Sequence, residues 1–195
     1  MGIVIALGFV RMGTDTPIET APPVVGTPSP PVPEVESTPP PTWTGSRRAD
    51  WADDGSKTID FTLAATHDVP VWMSWARPTL TVRCLSRQTE VFVALDTSTS
   101  FEEDADRRTV QVQWDDGPVS TQRWGVSQSG KELFAPDGVA LVRRMARARS
   151  LRFGFSPFNA SPVTAEFGVQ GFDDLAVLVA RTCGWRLEGP QDRTD

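Results

Sequence analysis

Hydrophobic and polar positions alternate in several short runs beyond residue 57, and that period of two predicts strands. Residues 58–66 place Ile59, Phe61 and Leu63 on one face, and residues 79–84 set Leu80, Val82 and Cys84 against Thr79, Thr81 and Arg83. Residues 90–95 repeat the pattern with Val91, Val93 and Leu95, and residues 109–114 with Val110, Val112 and Trp114. The polar connection 85–89 predicts a hairpin, and Asp115-Asp116-Gly117-Pro118 reads as a turn in which Gly supplies positive φ and Pro stops the pairing. Later the period lengthens. Asp137 can cap a helix whose buried stripe is Leu141, Val142 and Met145, and a second helix is predicted over 173–183 with Leu175, Leu178, Val179 and Thr182 along one side. Between the helices, 151–155 and 163–169 look like strands. The order predicts an α+β domain, mainly antiparallel β and sandwich-like, with two helices late in the chain.

The beginning of the chain follows different rules. Residues 3–10 form an apolar run of the length of a signal-peptide core, without a basic residue before it or an Ala-x-Ala site after it. Residues 1–13 are therefore read as a partial signal or anchor, with an unusual short signal and a disordered apolar end as the alternatives. Residues 17–41 hold ten of the chain's 17 prolines, so neither a helix nor a sheet interior can form there. The expected organisation is an apolar segment over 1–13, a disordered Pro-rich tether over 14–45, a globular domain over 46–188 and a flexible tail over 189–195. As a spacer the tether has a limiting reach of about 3.1 Å per residue; Pro28 and Pro31 also spell a P-x-x-P, a sequence any such composition produces by chance.

Composition removes functions. The net charge of −6 and pI near 4.9 argue against a nucleic-acid partner bound through a dominant basic surface. One histidine and two cysteines cannot build the usual zinc site, and no cofactor motif is complete. Residues 125–132 nearly spell a P-loop, but Glu132 stands where a Ser or Thr hydroxyl must hold magnesium, and Pro136 forbids the helix that should follow. Ser127 lacks the second glycine of a nucleophile elbow, and His67 beside Asp68 reads as a surface turn. Glu102, Glu103, Asp104 and Asp106 lack calcium-loop spacing and read as a solvated loop. Arg143, Arg144, Arg147 and Arg152 could engage an acidic partner, although basic residues at a helix C-terminus already complement its dipole. Cys84 and Cys183 lie 99 positions apart. In an exported protein they invite pairing, and closing a loop of that order is worth about 4.7 kcal/mol in the chain-entropy model. In a cytoplasmic protein they would be two buried thiols.

Several segments in order carry a family likeness: Pro78-Thr-Leu-Thr-Val-Arg-Cys84, Val110-Gln-Val-Gln-Trp114-Asp-Asp, the stretch from Trp124 to Phe134, the helix at 139–147, Leu151-Arg-Phe, Ala165-Glu-Phe-Gly-Val-Gln-Gly171 and Cys183-Gly-Trp185. Across roughly residues 43–185 the chain resembles the type VI secretion-associated VasI/TagO family. The resemblance implies a small periplasmic or envelope accessory protein associated with secretion loci, without an established enzymatic activity; as a noncatalytic binding module it is expected to have an envelope or secretion-apparatus protein, or peptidoglycan, as its partner. Cys84 and Cys183 match the family's two cysteine positions, so it also implies their pairing. The long tether departs from the family. Two other readings stay open: a cell-wall enzyme using Asp115 and Asp116, and a phage or mobile-element protein on the same fold. A cytoplasmic location follows if the apolar start is no signal.

Overall fold

The computed structural model describes residues 42–48 and 58–187. The expected apolar segment 1–13, the tether over 14–41 and the tail 189–195 lie outside the described residues. In chain order the elements are β1 (Thr44–Arg48), β2 (Thr58–Ala64), β3 (Val69–Val71), β4 (Ser74–Ala76), β5 (Thr79–Leu85), β6 (Gln88–Ala94), β7 (Arg107–Trp114), β8 (Ser120–Val126) and β9 (Glu132–Phe134). They continue with α1 (Gly138–Met145), β10 (Ser150–Phe155), β11 (Val163–Gly168) and α2 (Phe172–Cys183).

Nine of these strands form one sheet in the order β1-β2-β5-β6-β9-β8-β7-β10-β11, every neighbouring pair antiparallel, and β3 and β4 form a separate hairpin. The α+β class, mostly antiparallel with two late helices, is as expected. The β-layer is a single continuous sheet that curls back on itself: the Thr66 N–H, just past β2, donates to Glu166 O in β11 at 2.8 Å. Strand pairing begins at Thr44, inside the segment expected to be tether, with Thr44 opposite Thr62. Trp43 lies against Phe172, ring centroids 4.7 Å apart, so the folded domain starts before residue 46. The apolar area of an indole outweighs the prolines that precede it.

The alternating faces enter the core as predicted. Leu80, Val82, Cys84, Val93 and Leu95 are fully buried, and both helices cover the face made by β2, β5 and β6. Asp137 caps α1 through Oδ1, which accepts from the Ala140 N–H at 2.9 Å, and Leu141, Val142 and Met145 are its buried residues. Gly138 lets α1 approach β6 closely, because a Cβ there would stand 2.2 Å from Thr89 O. Helix α2 buries Val179 as expected but is rotated from the expected stripe. Phe172, Ala176, Val179, Ala180 and Cys183 are buried, while Leu175 and Leu178 flank the core at its edge. Small alanines let the helix lie close to the sheet, which the bulkier leucines would prevent. The hairpin between β5 and β6 closes with only Ser86 and Arg87, both at positive φ (48° and 62°), the geometry of a two-residue primed turn.

Candidate functional site

The two cysteines meet. Cys84 in β5 and Cys183 at the end of α2 form a disulfide with Cα atoms 5.7 Å apart, fastening the last helix to an interior strand of the sheet. Such a bond indicates an oxidising, exported environment. The four arginines are not gathered into one patch. Arg143 sits over the Trp185 ring, 5.4 Å from its centroid, and donates to Arg186 O at 3.2 Å. Arg152 in β10 pairs across the ladder with Glu166 at 2.7 Å. Arg144 and Arg147 are exposed near the end of α1. Arg143 and Arg152 thus serve the fold through contacts within the chain.

Other singled-out residues take structural posts. The segment resembling a P-loop is a hairpin turn between β8 and β9, held by Gly130 N–H to Ser127 O at 2.9 Å and by hydroxyl contact between Ser127 and Ser129 at 2.9 Å. His67 is exposed and touches only the Thr66 hydroxyl, at 3.0 Å, among its hydrogen bonds in the described residues. The acidic loop is partly braced rather than wholly solvated. Glu102 accepts from the Thr109 N–H at 2.6 Å and the Thr109 hydroxyl at 3.0 Å, and Arg123 pairs with both Glu102 and Asp104. Burial would raise the Glu102 carboxyl, but the Thr109 donors and Arg123 outweigh it and hold it below its ordinary range. Asp115 accepts from the Arg149 and Ser150 N–H groups. Among the described residues no cluster of three or more His, Cys, Asp or Glu could hold a metal.

A surface that the sequence reading did not single out is formed by three loops. The β3–β4 hairpin exposes Trp72, Met73 and Trp75 by 52%, 88% and 68% of their surface. Phe158, from the β10–β11 loop, meets Trp72 edge-on with centroids 6.0 Å apart, and Phe101, after β6, meets Phe158 at 6.2 Å. Backbone bonds lock the latter two loops together: Ser100 N–H to Ser156 O at 2.9 Å and Phe158 N–H to Ser98 O at 2.8 Å. The three loops thus hold large apolar side chains together in water as one braced ledge. Met73 at the hairpin tip has φ 55°, the positive φ that the two-residue turn between Val71 and Ser74 requires.

Beside the ledge lies a concavity of about 330 Å³, with Phe101 on its lining together with Thr99, Asp106, Arg108, Gln128 and Ser129. Arg108 is only 6% exposed. Its Nε donates to Thr99 Oγ1, and its Nη1 to the carbonyls of Asp104, Ala105 and Arg107 at 2.8–3.1 Å. Among the described residues no carboxylate lies within ion-pair distance of it, and Nη2 has no hydrogen-bond partner. A buried cation normally has a counter-charge. A second concavity, about 320 Å³, adjoins the β10–β11 loop and is lined by Thr109, Gln111, Ser156, Pro162 and Thr164 among others.

No protein-family profile matches this chain. No curated protein matches it either. Among solved structures it is similar to the crystal structure of invasion associated protein B from Bartonella henselae, with a TM-score of 0.47 and 14% identity over 73% of this chain and 94% of that one.

Proposed function

We propose that the chain is a noncatalytic binding module of the cell envelope, exported or N-terminally anchored, and an accessory protein of the VasI/TagO kind. The aromatic ledge of Trp72, Phe101 and Phe158 carries this reading, because exposed rings braced by backbone bonds serve recognition better than they serve stability. The Cys84–Cys183 bond supports a location outside the reducing cytoplasm. The segments quoted for the family likeness support the secretion-associated role. The engagement of Asp115 Oδ1 by two backbone N–H groups weighs against a cell-wall hydrolase built on Asp115 and Asp116, since these bonds fix the carboxylate at the start of β10 and favour its charged form over the protonated form a general acid needs.

Fractionation of cells expressing the full chain tests the reading. The protein is expected in the periplasmic or envelope fraction, with both thiols inert to alkylation until reduced. A cytosolic pool with two reactive thiols overturns it. Incubation with peptidoglycan is expected to release no soluble fragments; release that disappears in Asp115→Ala would establish the enzyme instead.

A further inference from the structure

We propose that the Arg108 cavity and the Phe101–Phe158–Trp72 ledge together bind a glycan through a carboxylate-bearing sugar, the carboxylate meeting Arg108 Nη2 and the sugar ring lying against Phe101. The inference rests on the envelope-module reading and adds the ligand class. Its first support is the buried guanidinium. Three of its contacts are to neutral carbonyls and one to a hydroxyl, which fix the side chain without neutralising it. A carboxylate entering the cavity gains a charge-assisted bond to a donor already held in place, so little side-chain entropy is lost on binding.

The second support is the mixture of groups around that cation. Asp106 and Gln128 offer acceptors, and Gln128 and the one hydroxyl proton left free by the Ser127–Ser129 contact offer donors, on one lining with an apolar ring. Alternating donors and acceptors suit a polyhydroxylated ring. A purely apolar guest would leave them unpaired. The exposed face of Phe101 supplies the complement, since the electron-rich face of an aromatic ring attracts the weakly positive C–H groups along one side of a pyranose. The volume, about 330 Å³, accommodates one sugar unit, and the ledge leading to Phe158 and Trp72 continues the apolar footing for its neighbours.

Charge narrows the alternatives. Asp106 on the lining, with exposed Glu103 and Asp104 on the same loop, would repel a phosphate dianion more than a carboxylate monoanion. The same acids, on a chain of net charge −6, oppose docking on an anionic lipid surface.

Titration of the full-length, disulfide-bonded protein tests this with a soluble N-acetylglucosamine disaccharide carrying a lactyl carboxylate, and with its methyl ester. Saturable binding of the acid is expected, weakened at least tenfold in the ester and at least fivefold in Phe101→Ala. The ester leaves the protein untouched, so its result does not depend on whether Arg108→Gln folds. Equal binding of acid and ester, no binding at millimolar sugar, or acetate competing in a way that Phe101→Ala does not alter each overturns the proposal. So does Phe101-dependent partition onto lipid vesicles, or onto a protein, without sugar binding. These failures leave the envelope location standing, which falls to the cytosolic, thiol-reactive outcome.

Discussion

The Asp115 carboxylate accepts from two consecutive backbone donors, the N–H groups of Arg149 at 2.8 Å and Ser150 at 3.0 Å, and so closes the turn after β7 onto the start of β10. The Arg149 N–H first and the Ser150 N–H second hold its carboxyl below the ordinary value of 3.8, with the Arg149 and Arg144 charges adding to them. A carboxylate with a depressed folded-state pKa contributes stability that is present above its unfolded pKa and is lost as pH falls through the folded value. Asp104 acts in the same sense, held down first by the Asp106 N–H and then, against desolvation, by Arg123. Asp115 has φ 49°, a backbone that Asn tolerates, so Asp115→Asn removes the charge without adding strain. Thermal melts are expected to show Asp115→Asn melting below the parent at pH 7, with the gap closing as pH drops below about 4, the ordinary carboxylate range. A gap that stays constant down to pH 3 would mean that the charge contributes nothing there.

At the scale of elements, the disulfide has one clear mechanical consequence. It joins β5, at the centre of the helix-covered face, to the last residue of α2, and Gly184 then ends the helix in the left-handed conformation with its N–H on Ala180 O. Trp185 follows, donating from Nε1 to Thr89 Oγ1 at 2.8 Å, so the chain after α2 is secured at two successive points. Replacing both cysteines by alanine, or reducing the parent, is expected to cost about 2–5 kcal/mol in urea unfolding, with the loss concentrated in faster amide exchange along α2. Unchanged unfolding after complete reduction would refute this. Much of this architecture was legible in the sequence where hydrophobic alternation was strict, as in β2, β5 and β7, and where Asp137 announced a cap. Elements whose cues are weak escaped. β8 reads Ser-Thr-Gln-Arg-Trp-Gly-Val, mostly polar, and is held by one fully buried residue, Trp124; β9 and the β3–β4 hairpin strands are three residues each, too short for a period to register. For α2 the reading followed the leucines, while packing favoured the small residues that let helix and sheet approach.

Across the whole molecule, large aromatic side chains divide into two populations with opposite consequences. Trp124, Phe153, Phe167 and Phe172 are buried to within 1% and belong to the core, Trp124 and Phe153 with centroids 4.8 Å apart. Trp72, Phe101 and Phe158 stand outside, brought together from segments 57 residues apart in the case of Phe101 and Phe158 by bonds such as Ser100 Oγ to Pro157 O at 2.7 Å. That juxtaposition has no local signature, so sequence spacing pointed to acidic and basic clusters and passed over the ledge; only the density of Trp72-Met73-Ser74-Trp75 in a turn could have flagged it. The disulfide was the part of the site that residue type and topology did make readable. The two populations give a direct separation of fold from recognition. Trp124→Ala is expected to lower unfolding free energy by about 3–5 kcal/mol, because a fully buried indole leaves a cavity and strands the Gln122 Oε1 that now accepts from it at 2.9 Å. Phe101→Ala, at a ring 83% exposed, is expected to leave it within about 0.5 kcal/mol. Urea midpoints at equal slope would measure both. A loss above about 2 kcal/mol in Phe101→Ala would place that ring among the supports of the fold, at the level the handful of costly single substitutions reach, and would remove the reason to read the ledge as a surface kept for a ligand.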